Sequence, residues 1–147
     1  MPKRKSKIII DTNIWISFLL TKDFLALDRF ISSPNLKLLF SSQLIEEFIE
    51  VANRPKFKKY FSSADLEEVL IQMKEHGEFI NVTSSVNVCR DPKDNFLLSL
   101  AKDGNASHLI TGDKDLLHLK RFGRTQIINL NPHCSSFSSQ MLKNRLF

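Results

Sequence analysis

"KIIIDTNIWISFLL", residues 7–20, decides the fold. Ile8-Ile9-Ile10 is a continuous β-branched run with no polar alternation, so it reads as a strand buried on both faces. The run stops at Asp11. Apolar residues resume at Ile14, and residues 13–32 predict a helix, broken near Thr21-Lys22. A carboxylate thus stands between two segments that both favour burial. In an open parallel sheet, ligands bind outside the carboxyl ends of the strands. Taken alone, Asp11 fits a helix N-cap equally well.

The pattern repeats along the chain. Ser33-Pro34-Asn35 predicts a turn, and residues 36–40 (LKLLF) a second strand. Ser41 or Ser42 caps a helix to about Asn53, which Arg54-Pro55 breaks. Ser62 to about Gly77 predicts an amphipathic helix, and residues 79–83 (FINVT) a third strand. Asp91-Pro92 opens a helix to about Lys102. Residues 108–111 and 126–130 are further strands, with a short helix over 113–119 between them. Strands alternating with helices imply parallel β-structure in an α/β sandwich. The reading assigns one domain over residues 7–130 and a Ser-rich C-terminal tail over 131–147, either an appended helix or an ordered arm.

The totals agree with one domain. The 147 residues include 42% hydrophobic and 10% aromatic residues, enough for a sizeable core, and only 4 Gly and 5 Pro. Twelve aromatics are Phe, which favours packing. No apolar stretch reaches the ~18 residues of a membrane span. The basic start before Ile8 is followed by too short an apolar run for a signal peptide, so a cytoplasmic protein with no membrane partner is expected. Cys89 and Cys134 lie far apart, and His76, His108, His118 and His133 have no ligand spacing, so neither a disulfide framework nor a zinc site is expected. The net charge of +5 permits a polyanion partner such as nucleic acid.

Three further groups of acids resemble Asp11 in placement. Asp113 follows the strand ending at Thr111, after Gly112, with Asp115 two residues on. Asp91 before Pro92 is a good N-cap, whereas Asp94 falls at the third helical position, where a capping-box acid can also sit. On the helix after Ser42, Leu44, Phe48, Val51 and Ala52 share one face. Glu46 and Glu50 point away from it, and Glu47 lies on its border. Carboxylates brought together repel and raise one another's pKa. Hard divalent cations such as Mg²⁺ and Mn²⁺ relieve this with oxygen ligands, activate water, and neutralise charge building on a phosphodiester.

"IIIDTNIWISFLL", "SSQLIEEFIEVANRPKF", "CRDPKDNFLLSLA" and "LITGDKDLL" together resemble PIN-domain proteins, in particular the branch of toxin ribonucleases from bacterial toxin–antitoxin pairs. The resemblance covers about residues 7–130. It implies a three-layer α/β/α sandwich with a central parallel sheet, and a Mg²⁺- or Mn²⁺-dependent endoribonuclease acting on RNA. Asp11, Glu47, Asp94 and Asp113 fall on the family's metal-holding acids. Asn13 and Thr111 match small polar positions beside the metal, and Asp115 a position that is often acidic. The resemblance also implies a homodimer and an antitoxin protein as partner.

Two phosphoryl-transfer classes are disfavoured. Haloacid-dehalogenase-type enzymes want a second acid two residues after the first, and position 13 is Asn. Receiver domains want paired acids by strand one and a late Lys. The non-enzymatic alternative is a catalytically silent RNA-binding or antitoxin-partner module, against which the complete acid set weighs.

Overall fold

The computed structural model describes residues 6–21, 28 and 33–129. The second half of the helix expected over 13–32, Cys134 and the tail over 131–147 lie outside the described residues. Strand β1 (Ser6–Ile10) leads through Asp11 into α1 (Thr12–Thr21), then β2 (Leu36–Phe40) and α2 (Ser42–Ala52). Next come the short α3 (Pro55–Lys58), α4 (Ser63–His76) and β3 (Gly77–Phe79). A 3₁₀ turn (Pro92–Asp94) opens α5 (Asn95–Gly104), followed by β4 (His108–Ile110), α6 (Lys114–Leu119), β5 (Arg121–Phe122) and β6 (Thr125–Ile128).

The six strands form one sheet in the order β3-β2-β1-β4-β6-β5. All neighbours are parallel except β5, which pairs antiparallel with β6. The central sheet is parallel as expected, with one antiparallel edge strand, β5, that was not expected: Gly123, at φ 57°, turns the chain back between Phe122 and Thr125 in a tight hairpin. Ile8 sits opposite Leu38 on one side and His108 on the other. With strands on both sides and helices above and below, Ile8, Ile9 and Ile10 are fully buried, which is why the run does not alternate.

From β1 the connections first run toward β2 and β3, then return to β4 on the far side of β1. Right-handed crossovers then place α1, α2 and α4 on one face and α5 and α6 on the other. The direction reverses between β1 and β4, so a crevice opens at their carboxyl ends.

The core on the α1 side is aromatic. The Trp15 ring lies 6.1, 5.8 and 6.4 Å from those of Phe18, Phe40 and Phe48, in tilted and edge-on geometries. Leu44, Phe48, Val51 and Ala52 form the buried face of α2, as their spacing predicts. Ser41 caps α2 by accepting from Leu44 N at 3.2 Å. Ser62 and Asp65 form a reciprocal capping box on α4.

Three elements differ from expectation. β3 is Gly77–Phe79 rather than 79–83, with one further ladder bond from Ile80 N to Phe40 O. Arg54-Pro55 ends α2, and Pro55 then starts α3 as its first residue. The helix expected from Asp91-Pro92 begins as a 3₁₀ turn and becomes α-helical only at Asn95.

Gly77 marks a close approach. A Cβ there would collide with the Phe40 ring and lie 2.5 Å from Met73 O. The ring cannot swing aside, because it is held between Trp15 and Phe79. Gly77→Ala is expected to cost about 1–3 kcal/mol, read as a lower urea midpoint. An unchanged midpoint would show that the aromatic cluster has slack.

Candidate active site

Asp11 is placed by the sheet. Its N–H donates to Ile110 O at 2.9 Å, extending the β1–β4 ladder by one bond and setting the carboxylate in the crevice. The side chain is 5% exposed. Thr111, wholly buried at the end of β4, donates its hydroxyl to Asp11 Oδ2 at 2.7 Å and accepts from Asp113 N at 3.0 Å. One hydroxyl therefore fixes two acids from two strands.

Asp113 caps α6, with Oδ1 accepting from Asp115 N at 2.8 Å and Leu116 N at 3.3 Å. Glu47, half-buried on the border of the α2 stripe, accepts from Thr12 Oγ1 at 2.5 Å. Glu46 and Glu50 are exposed, as expected of the solvated side of that helix. Asp91 is the N-cap of the 3₁₀ turn and accepts from Lys93 N at 3.1 Å.

Asp94 behaves differently. It precedes α5 yet makes no side-chain capping bond, so the capping-box role does not describe it. Its Oδ2 is buried with no hydrogen-bond partner among the described residues.

The electrostatics join these residues. Burial, with the charges of Asp113, Asp11 and Asp91 adding to it, pushes the Asp94 carboxyl up to about 7. Asp113, the strongest of these charges, favours the protonated form of Asp94. Asp11 is pushed up to about 6, first by burial and then by Glu47 and Asp113, against the opposing Thr111 hydrogen bond. Of the quartet Asp11, Glu47, Asp94 and Asp113, Asp11 thus feels Glu47 and Asp113, and Asp94 feels Asp113 and Asp11.

The tightest grouping is not that quartet. Asp91, Asp94 and Asp115 each offer an oxygen within 4.8 Å of the others. Asp94 belongs to both sets. Asn13 is exposed on the first turn of α1, and its side chain makes no hydrogen bond among the described residues. Its neighbour Thr12 instead reaches Glu47, a contact hidden in the sequence because 35 positions separate the pair.

A second feature positions Asp94. Asn95, Ser99 and Asp103, spaced four apart on α5, all accept backbone N–H groups from the extended segment 83–89. Asn95 Oδ1 takes Cys89 N at 2.8 Å and Val88 N at 3.2 Å, and Ser99 Oγ takes Val86 N at 3.1 Å. Asp103 Oδ2 takes Thr83 N at 2.7 Å and Ser84 N at 2.9 Å. The segment that ends at Asp91 is thereby fastened along the helix that begins after Asp94. Asn95→Ala leaves two backbone donors unpaired, one of them buried. It is expected to cost about 1–3 kcal/mol, with faster amide exchange at Val88 and Cys89. Unchanged exchange there would show that the fastening is dispensable.

The donor set is all oxygen, carries excess negative charge and includes an orphaned buried carboxylate oxygen. It fits a hard divalent cation. Fold and site together define an α/β protein with an acidic, oxygen-only centre at the switch point of its sheet. The chain belongs to the PIN-domain family, whose model matches residues 7–115. It is also similar to the uncharacterized protein MJ1680 of Methanocaldococcus jannaschii, at 32% identity over 129 residues, spanning 82% of this chain and 79% of that protein. PIN domains are generally nucleases that use divalent metal ions, and the acid cluster suits that chemistry.

Proposed function

We propose that this protein is a Mg²⁺- or Mn²⁺-dependent endoribonuclease. The observation that carries the reading is Asp94: a carboxylate with an orphaned buried oxygen, surrounded by acids, at the point of the sheet where ligands bind. Asp11, Glu47, Asp94 and Asp113 would hold the metal, with Asp115 and Asp91 beside Asp94. A divalent ion there supplies water activation and neutralises charge on the phosphodiester.

The chain's own residues hold that centre in place. Thr111 orients Asp11 and the Asp113 backbone, Thr12 orients Glu47, and the α6 cap fixes Asp113. In the reaction, water adds across a P–O bond and the departing oxygen takes up a proton. The net charge of +5 favours a substrate held by its phosphates.

The deciding experiment is cleavage of a mixed RNA pool with Mn²⁺ or Mg²⁺ against EDTA. Cleavage only with metal supports the reading, and RNA binding without cleavage replaces it with a silent binding module.

The resemblance to toxin ribonucleases further supports a cytoplasmic toxin that forms a homodimer and is restrained by an antitoxin. No helix among the described residues is long and apolar enough to cross a membrane. The exposed Ile71 and half-buried Leu66 and Leu70 of α4 offer an apolar surface for the second copy. A monomer by light scattering at micromolar concentration would remove the dimer.

A further inference from the structure

Beside the acids lies a groove of about 730 Å³, within the ~300–1,000 Å³ range of small-ligand sites. It runs between the start of α2, the segment after β3 and the start of α5, and its lining includes Gln43, Phe79, Asn81, Asn87, Lys93 and Phe96. Two connections tie it to the acidic centre. Lys93 lies between Asp91 and Asp94 in the chain, and Gln43 is one helical turn before Glu47 on the same side of α2.

The lining has a particular chemistry. Phe79 is 52% exposed although its ring packs 5.8 Å from that of buried Phe40. An aromatic ring held on a rigid base with half its surface open is a stacking platform. Around it stand the amides of Gln43, Asn81 and Asn87, which offer both donors and acceptors. Asn95 also lines the groove and is 8% exposed. Its Oδ1 is identified by the two N–H groups it accepts, and its Nδ2 donates to no acceptor among the described residues. The wall is already set, because segment 83–89 is fastened to α5 by Asn95, Ser99 and Asp103.

We propose that this groove seats an unpaired nucleobase of the strand whose phosphodiester lies at the acids, and so sets where the strand is cut. The proposal rests on the ribonuclease reading above. A ring platform takes the face of the base, the amides read its edge, and Lys93 meets the adjoining phosphate. A base within a duplex has its faces stacked and its edge paired, so the groove selects single strands.

The test uses the full chain and two exposed positions outside the acid centre. Phe79→Leu keeps an apolar contact with Phe40 but removes the ring, and Asn87→Ala removes an amide. Binding of short fluorescein-labelled single-stranded RNA is read by anisotropy in EDTA. Cut sites, KM and kcat are then read with Mn²⁺ on single-stranded and hairpin RNA. Each variant is expected to weaken binding about fivefold or more, raise KM, leave kcat within about twofold and shift the cut-site pattern. Unchanged affinity and cut sites in both variants would overturn the proposal, as would equal cutting of duplex and single strand. A groove that serves a protein segment instead gives that unchanged result. The two readings fail separately. Binding lost in the variants, from a wild type that never cuts, keeps the groove and removes the nuclease. Cutting indifferent to both variants does the reverse.

Discussion

Asp11→Asn is expected to reduce metal-dependent RNA cleavage by about 10³-fold or more while leaving the metal-free protein no less stable than wild type. The loss follows from removing one anionic ligand from a centre whose metal contributes several kcal/mol to charge stabilisation. The retained stability follows from the surroundings. Asn can still accept the Thr111 hydroxyl through Oδ1, and the ladder bond to Ile110 involves only backbone. The substitution also removes a buried charge that repels Glu47 and Asp113. A variant that loses activity by unfolding would melt lower, whereas this one should melt at or above the wild-type temperature in EDTA. Full metal-dependent cleavage by Asp11→Asn would exclude Asp11 from the centre.

The second large effect is a stability that changes direction with metal. In the unfolded chain Asp titrates near 3.8, whereas in the fold Asp11 titrates at about 6 and Asp94 at about 7. Between about pH 4 and 7 the folded protein therefore holds more protons than the unfolded one, and its stability falls as pH rises. Half-buried His108, whose pKa is pushed down by desolvation, opposes this trend below about pH 6.5. The contrast between wild type and Asp94→Asn isolates the carboxylate contribution. In EDTA the wild-type Tm should drop by several degrees from pH 6 to pH 8, and Asp94→Asn should flatten that slope. Mn²⁺ binds the ionised acids, so it should do little at pH 5. At pH 8 and 100 times its Kd it should stabilise by about 2.7 kcal/mol, roughly 5–10 °C in Tm. An Mn²⁺ shift independent of pH would mean that the ion binds elsewhere.

Much of this arrangement was legible in the sequence because it is local. The triple-Ile strand ending in Asp11, the apolar face of α2 with Glu47 at its border, and the caps at Ser41 and Ser62 each follow from spacing within a few residues. What escaped depends on long-range partners. Residues 79–83 alternate like a strand, yet the N–H groups of Thr83 and Ser84 go to Asp103 of α5 rather than to a neighbouring strand. Extended conformation was readable there, but the identity of the acceptor was not. The Asn95-Ser99-Asp103 spacing was visible as a polar stripe on an apolar helix, a signal for such fastening. Asp91 has a good local explanation as a cap, which hid its approach to Asp94 and Asp115. Thr12 gave no signal, since its partner Glu47 belongs to another element.

The fastening of segment 83–89 also bears on how this protein can diversify. Its anchors take hold mostly of main-chain N–H groups, which every residue except proline possesses. The exposed side chains at Asn81, Ser85 and Asn87 contribute nothing to that hold. Substitutions at those positions can therefore accumulate without disturbing the sheet, the helix or the acids. Descendants of this chain could exchange one set of groove-facing groups for another on the same three anchors, changing what is recognised while inheriting the chemistry intact.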